Sequence, residues 1–491
     1  MVIDGETLAR ASEAPCRSEC DSLGEVAVPA DALYGAQTRR AVENFDLSAQ
    51  RLCDFPALVA ALGMVKLAAL RANVASGIIP ETIEAPIQAA CLEVMSGQLD
   101  HAFPVAMLQG GAGTSTNMNA NEVIANRAAQ LIGAELGQYR VVHPNDHVNA
   151  SQSTNDVYPT AARIAVIKSA ANLEAALSSL SEAFLAKGRA FSGIPKLART
   201  QLQDAVPMTL GREFTAFGVT LAEDVARLRE ATTLLLEVNL GGTAVGTGVN
   251  APAAYAEAVI PALAGISGLP LIRAADLVEA SWDLGAFVTV SGALKRTAVK
   301  LSKISNDLRL LSSGPAGGIG EIRLPARQPG SSIMPGKINP VIPEVVTQAA
   351  YQVIGADVAV TMAVEAGQLQ LNAMEPVVVL NVLQSIDLLT RAARALDRRC
   401  VQGIEAVPER CLRNLTDSTA VATLAAPLIG YNRAAVLAKR SLATGVSMSR
   451  LIVEEGLLGE DALRALLTQA GAEAPIPFRP LASLAEASEG D

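Results

Sequence analysis

An all-α fold of long helices packed side by side is what the sequence predicts, and three observations predict it. Leu294, Leu301 and Leu308 recur every seven residues, with Ile304 and Leu311 at intervening positions. Leu221, Val225, Leu228, Thr232 and Leu235 repeat a 4-3-4-3 spacing. Such spacings gather side chains on one helix face, the pattern of a bundle seam. The chain is 50% hydrophobic but only 3% aromatic. That Ala- and Leu-rich composition suits closely packed helices.

The elements follow in order. Helical periodicity runs through 157–190, 211–240, 279–313 and 341–400, each well beyond the average helix of about 11–12 residues. Beyond about 410 the pieces shorten, with helical segments at 433–444 and 447–455 and a frayed tail, ASLAEASEGD. Punctuating stretches rich in Gly, Ser and Asn are GGAGTSTNMN (110–119), HPNDHVNASQSTND (143–156) and NLGGTAVGTGVNAP (239–252). The longest spans 312–340, 29 residues with six Gly and five Pro. A loop of that length inside a helical protein is expected to be functional. It reads as a lid, with Gly317, Gly318, Gly320 and Pro329 as hinges.

Composition excludes several function classes. At 491 residues the chain is long enough for two or more domains. Its 39 basic and 49 acidic residues leave a net charge of −10, without Lys/Arg clusters. That argues against nucleic acid and against an anionic membrane surface. Mean hydropathy is +0.31, yet no uninterrupted apolar run approaches the roughly 20 residues of a spanning helix. The first residues, broken by Asp4, Glu6, Glu13 and Glu19, hold no apolar secretory core. Six Cys with no CxxC pair are too few for a disulfide scaffold, and a reduced, cytoplasmic compartment is expected.

Familiar cofactor motifs fail on spacing. Five residues rather than four separate Gly330 from Gly336, and Ile338 stands where a phosphate loop needs Ser or Thr. GGTAVGTG lacks the following Lys, and GGAGTST is not a dinucleotide fingerprint. His143 and His147 are four apart, but Pro144 follows the first and the metalloprotease Glu is missing, so capping is the simpler role and no metal is expected. What remains is an inventory of hydroxyl, amide and backbone N–H donors with one Lys, a set suited to a small dianion. Taken singly, each donor also has a cap or turn reading.

Here the motifs carry a resemblance. GSSIMPGKINP (330–340) resembles the signature loop of the aspartase/fumarase superfamily. VPADALYGAQTRRAVENF (28–45), GGAGTSTNMNANEV (110–123), QSTNDVYPTA (152–161), RTQLQDAVPMTLG (199–211) and EVNLGGTAVGTGVN (237–250) are similar to its other motif regions. The resemblance implies an all-α chain of three domains, at 1–152, 153–408 and 409–491, whose central long helices pack into a homotetrameric 20-helix core. Active sites in that family combine loops from three subunits.

The resemblance also implies an activity and site roles. Fumarate-hydrating members typically read RTH where this chain reads RTQ, at Gln201, and NAMEPV, with Glu375, is similar to the aspartate-deaminating branch. Ala161 and VPADALYGAQT lean the other way but lie outside the inferred pocket. The implied reaction is the reversible deamination of L-aspartate to fumarate and ammonia; hydration of fumarate to L-malate is the alternative. Ser331 would be the general base. Lys337 and Asn339 would hold one carboxylate, and Thr114, Ser153, Thr154 and Asn155 the other carboxylate and the amino group. Thr200 and Gln201 would line the pocket, and Glu344 falls where the hydratases' His finds its partner. Arg140, His143, Asn145 and Asp146 resemble a secondary anion site of the hydratases. No redox or organic cofactor is implied; activation by a divalent cation stays open.

Overall fold

A computed structural model describes residues 15–469. Most of the acidic N-terminal stretch and the tail at 482–491 lie outside the described residues. The order of elements is β1 (Cys16–Asp21), β2 (Gly24–Pro29), α1 (Ala36–Asn44), α2 (Pro56–Ala75), α3 (Glu84–Met95), α4 (Thr114–Leu131), α5 (Thr154–Ala190), β3 (Pro195–Thr200) and β4 (Gln203–Thr209). Then come α6 (Leu210–Thr233), β5 (Glu237–Val238), α7 (Ala253–Ser267), β6 (Ile272–Arg273), α8 (Gly285–Leu311), β7 (Ile322–Arg323), α9 (Val341–Glu365) and α10 (Glu375–Arg399). The chain closes with β8 (Glu405–Ala406), α11 (Pro408–Asp417), α12 (Val421–Ile429), α13 (Tyr431–Thr444), α14 (Met448–Glu454) and α15 (Glu460–Gln469). The fold is all-α. Among the described residues strands occur only as four two-stranded pairs, three antiparallel and one, β5 with β6, parallel.

The stripes behave as predicted. Leu221, Leu228 and Leu235 on one, and Leu294, Leu301, Ile304 and Leu308 on the other, are all at most 1% exposed. One expectation is corrected. The periodic stretch 341–400 is two helices, because Asn372 caps both sides of a break. Its Nδ2 donates to the carbonyls of Ala363 and Val364, both at 3.0 Å, and its Oδ1 accepts from Met374 N at 2.9 Å. Side-chain amides that satisfy terminal carbonyls stop a helix as effectively as Gly does.

Average hydropathy, as distinct from an uninterrupted run, picks out two helices. Two helical stretches, Pro56–Ala75 and Glu375–Gly403, are long and apolar enough on average to cross a membrane, although charged residues interrupt both. In the most apolar 18 residues of each, 72% and 67% are buried within the protein, the behaviour of core helices.

The chain divides into two compact units. Unit 1 comprises Met1–Asn172, Leu228–Leu294 and Ile354–Asp387. In it α2 packs on α3 and α7, and α3 packs on α4. Unit 2 comprises Leu173–Arg227, Lys295–Val353 and Leu388–Asp491. There Phe184, Phe191, Phe214 and Phe217 form an aromatic cluster with centroids 5.2–6.0 Å apart. A second cluster joins Leu197 of β3 to Leu415, Val421, Leu437, Met448, Leu451 and Leu463. The β3–β4 hairpin thus stands on the small C-terminal helices.

Candidate active site

The signature loop in unit 2 is a ring closed by its own backbone. Gly330 N donates to Lys337 O at 2.8 Å, and Asn339 Nδ2 donates to Gly330 O at 2.9 Å. A Cβ at Gly330 would lie 2.4 Å from Lys337 O, so only Gly permits this closure. Gly336 turns the ring at φ +82. Ser331 sits half-buried on the ring, and its Oγ accepts the Ile333 N–H at 3.2 Å. Lys337 is exposed and Asn339 half-buried.

The first half of the predicted lid is pinned. Arg410 donates to the carbonyls of Gly318 and Ile319, at 2.7 and 3.0 Å, and Glu321 N donates to Leu311 O at 2.9 Å. A Cβ at Gly318 would meet Ser313 backbone at 2.4 Å. Gly318 is therefore a packing glycine, not the hinge expected of it. Lys337, Asn339 and Glu344 border a cavity of about 1220 Å³ together with Arg309, Arg323 and Arg410. Ser331 and Lys337 border an adjoining recess of about 460 Å³.

Thr200 and Gln201 form the exposed tip of the β3–β4 hairpin in unit 2. Gln201 and Leu202 are both left-handed, at φ +55 and +62. Two successive positive φ values are the signature of a type I′ hairpin turn, and holding them without Gly costs strain.

Unit 1 carries the remaining predicted residues on two helix starts. The Gly111 and Gly113 turn, at φ +87 and +85, opens α4. TSTNMN, read from sequence as loop, is therefore the first turns of that helix. Thr114 is exposed, and its hydroxyl donates to Gly111 O at 2.7 Å. Ser153 opens α5 in a capping box. Its Oγ accepts Asn155 N at 3.2 Å, and Asp156 Oδ1 accepts Ser153 N at 3.0 Å. Thr154 Oγ1 accepts from Asn117 at 3.1 Å, and Asn155 Nδ2 donates to Ala244 O at 2.8 Å. Ser153, Thr154 and Asn155 are all half-buried.

Two groups that sequence reasoning did not single out hold this loop. Asp156 is fully buried, and its Oδ2 accepts the N–H groups of Gly241 and Thr243, each at 3.0 Å. Burial pushes its carboxyl up to about 6, against those hydrogen bonds and Lys66. Lys66, 1% exposed within apolar α2, donates to Asn149 Oδ1 at 3.0 Å and Gln152 Oε1 at 2.9 Å. Burial brings its ammonium down to about 7. Asn149 Oδ1 also accepts from Asn117 and Asn121, both at 3.1 Å. The signal was present: a lone Lys inside PALVAALGMVKLAAL, and the Asp that completes the capping box.

The HPND segment is a π-helical turn, Pro144–Val148. His143 caps it, its Nδ1 accepting the N–H groups of Asn145 and Asp146 at 3.1 Å. His147 Nδ1 accepts His143 N at 2.9 Å. Both imidazoles thus use Nδ1 as acceptor for backbone. The Asp146 carboxylate lies 3.5 Å from His143 Nδ1, a charge that opposes a bound anion. Arg140 is exposed nearby in sequence. Among the described residues no cluster of three or more His, Cys, Asp or Glu is arranged to hold a metal ion.

The structure therefore gathers the predicted residues in two sets. Ser331, Lys337, Asn339, Thr200 and Gln201 belong to unit 2; Thr114, Ser153, Thr154 and Asn155 belong to unit 1. Each set is rich in donors at helix starts or tight turns, the arrangement that binds carboxylates.

The profile of the lyase family matches residues 24–355. The aspartate ammonia-lyase of Pseudomonas aeruginosa is 55% identical over 469 residues, 95% of this chain and 99% of that protein. The aspartate ammonia-lyase of Escherichia coli K12 is 51% identical over 90% of this chain and 93% of that one. Among solved structures, a fumarate lyase:delta crystallin from Brucella melitensis bound to cobalt superposes with a TM-score of 0.91 at 57% identity, covering 94% of this chain and all of that one. A class II fumarase from Schistosoma mansoni superposes with a TM-score of 0.88 at 33% identity, covering 94% of this chain and all of that one.

Proposed function

Since the chain belongs to the aspartase/fumarase superfamily of lyases and is an enzyme of the carbon–nitrogen lyase class, we propose that it converts L-aspartate reversibly to fumarate and ammonia, by anti-elimination with Ser331 as the base. The observation that carries the reading is the hairpin tip. It presents Gln201 where hydration would call for an imidazole. An amide exchanges no proton, and ammonia can depart from its protonated amine unaided, whereas hydroxide needs a general acid.

The mechanism follows from the residues. Ser331 removes a proton from the carbon beside one carboxylate, and the electron pair moves into that carboxylate to give an aci-carboxylate dianion. Collapse of that dianion expels the amine and forms the double bond of fumarate. Lys337 and Asn339 hold one carboxylate; Thr114, Ser153, Thr154 and Asn155 hold the other and the amino group. Thr200 and Gln201 line the pocket. Donors aimed at the charge that develops late lower the barrier most. A serine needs its alkoxide stabilised, and the Ile333 N–H on Ser331 Oγ with Lys337 on the same ring supports that role. The chemistry needs no redox or organic cofactor; whether a divalent cation activates is a separate measurement.

A cavity of about 1220 Å³ exceeds the roughly 300–1,000 Å³ of a fitted ligand pocket, and far exceeds a four-carbon diacid. That supports completion of the site by neighbouring subunits, three to a site in a homotetramer. The stripe Tyr351, Val358 and Met362 along α9, 58–67% exposed, supports a 20-helix core in which a neighbour covers it. We place the enzyme in the cytoplasm and divide it at 152 and 408. HPND, with Arg140, His143, Asn145 and Asp146, remains a candidate secondary anion site.

The test is direct. Purified protein is incubated with L-aspartate and separately with L-malate, and fumarate is followed by its ultraviolet absorbance. Fumarate from L-aspartate alone is expected. Fumarate from L-malate alone would make the protein a hydratase, and fumarate from neither a non-catalytic relative. Ser331→Ala is expected to lower kcat by about three orders of magnitude or more with an unchanged circular dichroism spectrum. Near-normal turnover would remove Ser331 from the role of base.

A further inference from the structure

One buried carboxylate in unit 2 ties the hairpin tip to the segment that leads into the signature loop. Glu321 is fully buried. Arg199 Nη2 and Asn414 Nδ2 donate to its Oε1 at 3.0 and 2.9 Å, and the Lys196 ammonium lies 3.0 Å from its Oε2. Its backbone is held as well: Glu321 N donates to Leu311 O, and Glu321 O accepts Val407 N, both at 2.9 Å. Lys196, 2% exposed, also donates to Glu213 Oε2 at 2.5 Å. Two cations thus face two carboxylates. Charges so buried persist only when each is paired, and such pairs serve best to fix one arrangement against its neighbours.

The hairpin needs such a fix. β3 and β4 shift register between Leu197 and Arg199, and a bulge there re-aims the residues beyond it. The extra residue is on β4, between Asp204 and Pro207; Arg199, paired with Asp204, is the first β3 residue beyond the bulge and directly precedes Thr200 and the left-handed pair Gln201–Leu202. Strained turns without Gly keep their shape only where surroundings over-determine them. Arg199 supplies that constraint through Glu321.

We propose that Glu321 is a positioning residue for the dicarboxylate site: through Arg199 it sets the aim of Thr200 and Gln201, while its own backbone anchors the start of the strand leading toward Ser331. The inference rests on the preceding reading of those residues as substrate ligands. It differs from a purely structural role in what it moves. A structural role alters melting temperature; a positioning role alters how well a dianion is held.

Glu321→Gln keeps the size and one acceptor but removes the charge. The expected result is a rise of about tenfold, in parallel, in KM for L-aspartate and in the dissociation constant of succinate measured calorimetrically, with kcat within about threefold of the unaltered protein; hydrogen bonds to charged groups are worth this much. Arg199→Lys, at a side chain already 17% exposed, is expected to show the same pattern, and it decides the matter if Glu321→Gln does not fold. A lower melting temperature with unchanged KM and succinate binding would overturn the proposal. So would a fall in kcat with KM unchanged. If the unaltered protein binds succinate yet forms no fumarate from L-aspartate, the functional reading fails, and succinate binding by the variants still decides this inference. An unaltered protein that binds no succinate overturns both.

Discussion

Replacing Glu375 by Gln separates a buried charge from a buried shape. Glu375 opens α10, is 4% exposed, and has its carboxyl pushed by burial from 4.5 up to about 8, with Arg163 pulling the other way. Arg163 is itself 6% exposed, its Nε has no hydrogen-bond partner, and its guanidinium carbon lies 5.5 Å from the Phe287 ring centre. Between pH 4.5 and 8 the folded state holds a proton on Glu375 that the unfolded chain has released. Stability from this group is complete below 4.5 and is lost as pH rises through about 8. Each pH step in that window is worth about 1.4 kcal/mol, which sets a ceiling of about 5 kcal/mol. Gln has nearly the same volume and no proton to lose. Urea unfolding of both proteins from pH 4.5 to 9 is therefore expected to give matching stabilities at the acid end. The curves then separate, and Glu375→Gln becomes the more stable by at least about 1 kcal/mol, and at most about 5, at pH 9. Parallel curves across the whole range would show that Glu375 ionises as an ordinary carboxylate, and the burial argument would be wrong.

Other expectations bear on the loops. Gly330→Ala drives a Cβ to 2.4 Å from Lys337 O and opens the signature ring; kcat is expected to fall about tenfold to a hundredfold, with melting temperature within a degree or two. Lys337→Met removes the one ammonium of the ring, and KM for L-aspartate is expected to rise about tenfold to a hundredfold, as loss of a charge-assisted hydrogen bond does; steady-state kinetics would reveal an unchanged KM. Lys66→Met leaves Gln152 Oε1 without its donor and is expected to cost about 1–3 kcal/mol of stability in urea at pH 6. Because burial lowers the Lys66 ammonium from 10.5 to about 7, the unfolded chain holds the extra proton between those values. The cost of burying Lys66 therefore eases as pH rises from 7 to 10.5, and the difference between variant and parent should change across that window.

Some features of the site were legible locally and others were not. Ser153 could be read as an N-terminal cap because a capping box is a four-residue event, and Ser153 with Asp156 forms one. Gly330 and Gly336 could be read as turn residues, since a backbone ring closes over only eight residues. The break at Asn372 was not legible, although Gly367 and the polar Gln368, Gln370 and Asn372 interrupt the apolar pattern, because the amide that satisfies the carbonyls of Ala363 and Val364 lies nine and eight residues further along. The hinge expected at Gly318 failed because Arg410, 92 residues away, occupies the carbonyls around it. Lys66 and Glu321 carried little local meaning, since their partners, Asn149 and Arg199, are 83 and 122 residues distant.

The amino-acid sequence alone determined the helical class, the buried stripes of α6 and α8, and which loops carry hydroxyl and amide donors. These depend on spacings of three and four along a helix, and on turn chemistry within a few residues. Tertiary structure alone decided which charges are buried, which groups hold the loops in place, and which donors share a unit. Those properties come from chain segments that meet only after folding, where the loss of water makes every unpaired charge costly and every paired one a constraint.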